Sequence, residues 1–235
     1  MPGTCIELKQ LEFQWPGATQ PLLRIPELRI SRGERVLLRG ASGSGKSTLL
    51  SLIAGIHKAK AQQVFVLDHD LGDMSQRQRD KLRANEIGYI FQQFNLLPYL
   101  SAYQNVLLAQ QFSPARRKRL NEQLPSHKQQ AQNLLLQLGL TESDTERPAH
   151  QLSVGQQQRV AAARALFGSP ALIIADEPTS ALDADHRDNF IQILFEACRA
   201  NNTTLLFVTH DASLAPHFDR ALELADINTG SGGRS

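Results

Sequence analysis

The sequence predicts an α/β fold organised on a parallel central sheet. Two continuous apolar runs, Ala171–Ala175 and Thr204–Val208, are strand-sized and lack polar alternation, as strands covered on both faces do. A third run, Arg35–Arg39, leads straight into a glycine-rich turn, and a helix should follow.

The elements follow in chain order. Ile6–Leu8 and Leu11–Trp15 alternate apolar and polar residues, which predicts half-buried strands, and Pro16-Gly17 then forces a turn. Leu28–Ile30 and a turn at Gly33 lead into the strand Arg35–Arg39, and a helix should run from Lys46 to about Gly55. From about Phe94 to Ala163 the chain is rich in Gln, Leu and Ala. Val106 and Leu107, then Leu134, Leu135 and Leu138, keep helical spacing, so an α-helical subdomain inserted into the core is expected. Thr229–Ser235 reads as a frayed tail.

With 235 residues the chain suits one large domain, or a core with one subdomain. An apolar content of 41% against 20% charged residues excludes a disordered chain. The net charge of +2 argues neither for nor against nucleic acid. The opening MPGTCIELKQ lacks a secretory pattern, and no apolar run approaches the roughly 18 residues of a membrane helix, so a cytosolic location is expected. Cys5 and Cys198 show no ligand spacing and read as reduced core residues. The basic run Arg116–Arg119 reads as a solvated helix face, with contact to lipid headgroups or an acidic partner loop as the alternative.

Gly40-Ala41-Ser42-Gly43-Ser44-Gly45-Lys46-Ser47 fits G-x-x-x-x-G-K-[ST] in full. A polyphosphate needs many donors at short range, and glycines let backbone N–H groups curl around it while the helix start adds positive charge. Lys46 would reach the β- and γ-phosphates. The Ser47 hydroxyl would hold Mg²⁺, and Thr48 would touch the α-phosphate side. Leu172–Ala175 then deliver Asp176-Glu177-Pro178 at a strand end. Asp176 can hold the metal, and Glu177 can orient or deprotonate an attacking water.

Further motifs carry a family resemblance. Leu152-Ser153-Val154-Gly155-Gln156 resembles the LSGGQ signature of ATP-binding cassette (ABC) ATPases, and Asp176–Asp183 resembles that family's metal-site strand end and D-loop. Phe91-Gln92 resembles its Q-loop, Thr209-His210-Asp211 its switch-histidine segment, and Trp15 its adenine-stacking aromatic. The resemblance covers about residues 5–225. It implies a P-loop NTPase core with a parallel central sheet, an N-terminal antiparallel β subdomain and an inserted helical subdomain at 94–163. It also implies ATP and Mg²⁺ as cofactors, with Lys46, Gln92, Glu177 and His210 catalytic. Gln92 would join Ser47 and Asp176 at the metal. Ser153, Gly155 and Gln156 would complete the site of a second copy across a nucleotide-sandwiched dimer. Val154 departs from the usual glycine, and its branched side chain predicts weaker closure.

A lone cassette without a membrane span implies separate integral-membrane permease subunits, and a peripheral position on the cytoplasmic face of the inner membrane. Neither heptads nor cysteine clusters are present, so no nucleic-acid partner is expected. Ile87–Pro98 and LSVGQQQRVAAARAL look like the lipoprotein-release, macrolide-efflux and cell-division (LolD, MacB, FtsE) group, which implies export or mechanical transmission. Ser180–Asp183, reading SALD, is common instead in amino-acid importers, which stand as the alternative.

Overall fold

The computed structural model describes residues 3–120, 126–180 and 184–231, the side chains of 184–186 apart. Its strands are β1 (Thr4–Phe13), β2 (Leu23–Ser31), β3 (Arg35–Arg39), β4 (Val64–Val66), β5 (His69–Asp70), β6 (Ile87–Ile90), β7 (Leu172–Asp176), β8 (Thr204–Val208) and β9 (Arg220–Glu223). Its helices are α1 (Lys46–Ile53), α2 (Gln76–Glu86), α3 (Ala102–Gln111), α4 (Pro114–Arg119), α5 (His127–Gln137), α6 (Glu142–Glu146), α7 (Val154–Leu166), α8 (Ala184–Ala200) and α9 (Leu224–Ile227). Two compact units share them: residues 1–83 with 204–235, and residues 84–203.

In the first unit, β2-β1-β4-β5 form an antiparallel sheet. The two short strands expected at 6–8 and 11–15 are one, ending at Phe13. Buried Leu8 and Leu11 lie three residues apart and pair with Leu28 and Ile25, so the inward face changes phase on both strands together. Gln10, at φ 46, sits at that switch, and a change of phase reads in sequence as a strand break. Trp15 lies beyond the strand end. The same unit holds a parallel set, β8-β3-β9, with Leu38 opposite Val208 and Arg39 opposite Glu223.

The frayed tail is corrected for residues 229–231, and residues 232–235 lie outside the described residues. Buried Asn228 accepts from the Arg24 and Gly230 amides and donates to the Leu22 carbonyl. Ser231 N–H donates to the Pro21 carbonyl, so residues 228–231 run bonded along the entry to β2. The Thr/Gly/Ser composition suggested a loose end because it hides these backbone and amide partners.

In the second unit β6 and β7 pair in parallel, with Ile90 opposite Ala175. Helix α7 is the hub, packing on α3, α5, α8 and β6, and its Val160–Ala163 and Leu166 are buried. The solvated basic face expected at 116–119 holds for exposed Arg117, Lys118 and Arg119 and is corrected for Arg116. Arg116 is 3% exposed. It donates to the carbonyls of Ala165 and Phe167 at the end of α7 and to that of Ile87 at the start of β6. A helix terminus leaves carbonyls without partners and carries negative partial charge, so a guanidinium is well matched to it. Burial, then the like charge of Arg119, push the Arg116 guanidinium down to about 10. Arg119 pairs with Glu86 and also bonds the carbonyls of Asn85 and Ser169. Gly168 completes the fit: a Cβ there would meet that of Arg116 at 2.6 Å.

Candidate functional site

In the first unit the site starts where β3 ends. Gly45 is left-handed (φ 102), and a Cβ on it would come within 2.9 Å of Leu23, so only glycine fits the bend into α1. Lys46, nearly buried, donates through Nζ to the carbonyls of Gly40 and Ala41 at 2.7 and 2.8 Å. The loop therefore curls around its own ammonium. Ala41, Ser42, Gly43 and Ser47 are exposed, and Thr48 is half-buried. Ser44 is buried with its Oγ unpartnered in the loop interior. A buried hydroxyl without a partner is costly in a native structure unless something polar completes it. A phosphate oxygen at this loop fits that need.

Strand β8 runs parallel to β3 and ends beside it. Thr209 N–H bonds the Leu38 carbonyl, and exposed His210 follows at the same carboxyl edge as the phosphate loop. Ligands gather at that edge of parallel sheets. Trp15 is 39% exposed and contacts Phe13 and His57 edge-on, with ring centroids 5.0 and 4.9 Å away.

In the second unit, β6 delivers exposed Gln92, and its parallel partner β7 delivers Asp176 and Glu177 at the same edge. Glu177 has φ 45, a left-handed conformation that disfavours any non-glycine residue. The following Ser180 N–H closes a turn on its carbonyl. Burial, then the Asp176 carboxylate, push the Tyr89 phenol well above its ordinary range, and its ring stacks on Phe91 at 4.3 Å. Asp176 and Gln92 offer this unit a carboxylate and an amide, oxygen ligands suited to a hard cation that keeps several waters. No cluster of three or more His, Cys, Asp or Glu that could hold a metal ion occurs among the described residues.

The signature opens α7. Ser153 is its N-cap: its Oγ accepts from Gln156 N–H, and the Gln156 side chain accepts from Ser153 N–H. This reciprocal capping box satisfies two helix-end donors and commits the Gln156 side-chain oxygen to the fold. The Ser153 hydroxyl proton is not consumed by it. Val154 is the first helical residue, with a 49% exposed side chain, and Gly155 is half-buried. A cavity of about 210 Å³ lies against Ser153, Gly155, Gln156, Gln158 and Arg159. The D-loop positions Ala181, Leu182 and Asp183 lie outside the described residues.

Sequence reasoning missed Arg164. Its guanidinium donates to the carbonyls of Phe94 and Asn95, each at 2.6 Å. Those two residues are left-handed in succession (φ 54 and 50) and follow Gln92 and Gln93 in the loop. A charged residue among the alanines of AAARAL was the available signal.

A family profile described as ABC transporter matches residues 23–180. The chain is 44% identical over 200 residues to the uncharacterized ABC transporter ATP-binding protein YbbA of Escherichia coli K12, covering 85% of this chain and 84% of that one. It is 40% identical over 232 residues to the macrolide export ATP-binding/permease protein MacB of Rhodopseudomonas palustris HaA2, covering 96% of this chain and 34% of that larger protein. Among solved structures, a dimeric post-hydrolysis state of the cassette MJ0796 bound to ADP and Pi superposes with a TM-score of 0.81 at 33% identity, covering 98% and 99% of the two chains.

Proposed function

The chain belongs to the ABC transporter family as an ATP-hydrolysing, ATP-binding subunit of α/β P-loop fold, and from that premise we propose how its residues divide the work. Two copies close around two ATP molecules and drive a conformational change in integral-membrane permease subunits, for export or for mechanical transmission across the envelope. No helix among the described residues is long and apolar enough to cross a membrane. In this reading the membrane work falls to partners, with this chain peripheral on the cytoplasmic face.

Lys46 and the amides of Gly43 to Thr48 bind the β- and γ-phosphates. Ser47, Asp176 and Gln92 would hold Mg²⁺, which neutralises charge on the phosphate oxygens when bound. Glu177 orients a water on the γ-phosphorus and takes its proton as the water oxygen bonds to phosphorus and the bridge to the β-phosphate breaks. His210 donates to a γ-phosphate oxygen. The partner's Ser153 and Gly155 supply the remaining donors, which an isolated copy lacks. Trp15 stacks on the base.

The observation that carries this reading is the left-handed backbone at Glu177, immediately after the buried strand that presents Asp176. Strain of this kind clusters at functional sites. Glu177→Gln keeps a hydrogen-bonding group and removes the base. We expect near-normal ATP binding, turnover reduced at least about 100-fold, and an ATP-trapped dimer on size exclusion. Turnover near wild type removes Glu177 from that role.

The SALD sequence at Ser180–Asp183 supports a second reading, an importer of amino-acid type. Reconstitution with the cognate permease, followed by assay of the direction of movement, separates the two.

A further inference from the structure

Trp15 is the only tryptophan in the chain, and its ring is not left to solvent alone. Phe13 meets it at 5.0 Å and 88°, and His57 at 4.9 Å and 85°. Phe13 and His57 also approach each other, at 6.4 Å. Perpendicular ring pairs at these distances are attractive through the quadrupole, and they fix orientation as well as distance. The indole is thus wedged by two rings while 39% of the residue stays exposed.

His57 reaches this position from an unexpected direction. Its backbone N–H, and that of Ile56, both bond the Ser51 carbonyl, so the residue closes the turn that ends α1. That helix begins at Lys46, beside the phosphate loop. The chain leaving the turn then runs along the end of β1: Lys60 pairs with Glu12, and the Glu12 N–H bonds the Gln63 side chain. One eight-residue helix, about 12 Å long, therefore carries the phosphate-binding lysine at one end and the brace of the indole at the other.

We propose that His57 is a positioning residue for the nucleobase: its imidazole, with Phe13, holds the Trp15 indole so that its exposed surface is presented to the base of the bound nucleotide. This rests on the reading of Trp15 as the base contact. Without the brace the indole gains rotamer freedom, and stacking must then supply the ordering that His57 supplies in advance. The cost falls on nucleosides and not on bare phosphate chains.

Calorimetric titration of the whole chain with ATP and with inorganic triphosphate tests this, using His57→Ala, His57→Phe and Trp15→Ala. Loss of one aromatic pair predicts about three- to tenfold weaker ATP binding in H57A. Triphosphate affinity should stay within about twofold, and H57F, which restores a ring, should recover ATP binding. His57→Leu asks the same question if the Ala variant fails to fold. If H57A binds ATP like wild type while W15A is weakened, the brace is wrong and the base contact stands. If W15A binds ATP like wild type, the base contact itself falls, and the brace with it. Equal loss for ATP and triphosphate in H57A makes His57 a general packing residue and overturns the proposal.

Discussion

At the scale of single residues, the site uses conformations that sequence motifs do not reveal. A DEP triplet shows that two carboxylates follow a strand; it does not show that Glu177 sits at φ 45. Ser153 and Gln156 are legible as a signature, yet in the fold they are first a capping box. Val154 follows from this. It occupies the first helical position with its side chain half in solvent, so the helix start needs no glycine there. Val154→Gly should lower stability by a few tenths to about 1 kcal/mol, the propensity cost of glycine. In a Glu177→Gln background the same change should tighten the ATP-dependent dimer, because the branched side chain is gone from an exposed signature. Analytical ultracentrifugation with and without ATP checks this, and a dimer of equal or lower affinity refutes the steric reading of Val154.

At the scale of elements, β3, the phosphate loop and α1 were legible almost residue by residue, because phosphate binding dictates both composition and spacing. Strand β8 was equally clear, since burial on both faces leaves an unbroken apolar run. Helix α2 was not. QRQRDKLRANE has no apolar stripe, and Arg79 seats it instead, donating to the Gly55 and Met74 carbonyls. The readable trace was Ser75 with Gln78, which cap the helix reciprocally. Helix α7 presents a related case. Arg164 links its C-terminal half to the strained Phe94-Asn95 turn beyond Gln92. Desolvation by burial holds its guanidinium below the ordinary range. Arg164→Ala should cost about 2–3 kcal/mol, as expected for charge-assisted bonds to carbonyls. It should also depress turnover while leaving ATP affinity within a few fold, since the phosphate loop is untouched. Denaturant unfolding alongside steady-state kinetics tests both parts. An unchanged turnover would mean that the turn keeps its shape without the guanidinium.

At the scale of the whole molecule, the first unit is assembled from the two ends of the sequence, and Asn228 helps to hold them together. Asn228 is itself buried and makes three side-chain bonds, to Leu22, Arg24 and Gly230, so Asn228→Ala leaves backbone groups without partners, at roughly 1–3 kcal/mol. Urea unfolding followed by Trp15 emission reads this unit directly, and an unshifted midpoint would show the clasp to be dispensable. A Gly/Ser-rich ending concealed this role, because composition reports how freely a chain can move and says little about what it finds to bond. The buried guanidinium of Arg116 has a consequence of another kind, for exchange of parts between relatives. A helical segment excised at residues 94 and 163 would take Arg116 and abandon its acceptors at Ile87, Ala165 and Phe167, and would separate Arg164 from the turn it clamps. A chimera built on such cuts inherits an orphaned buried cation, whereas one cut near 83 and 204 carries the arginine together with every carbonyl it serves.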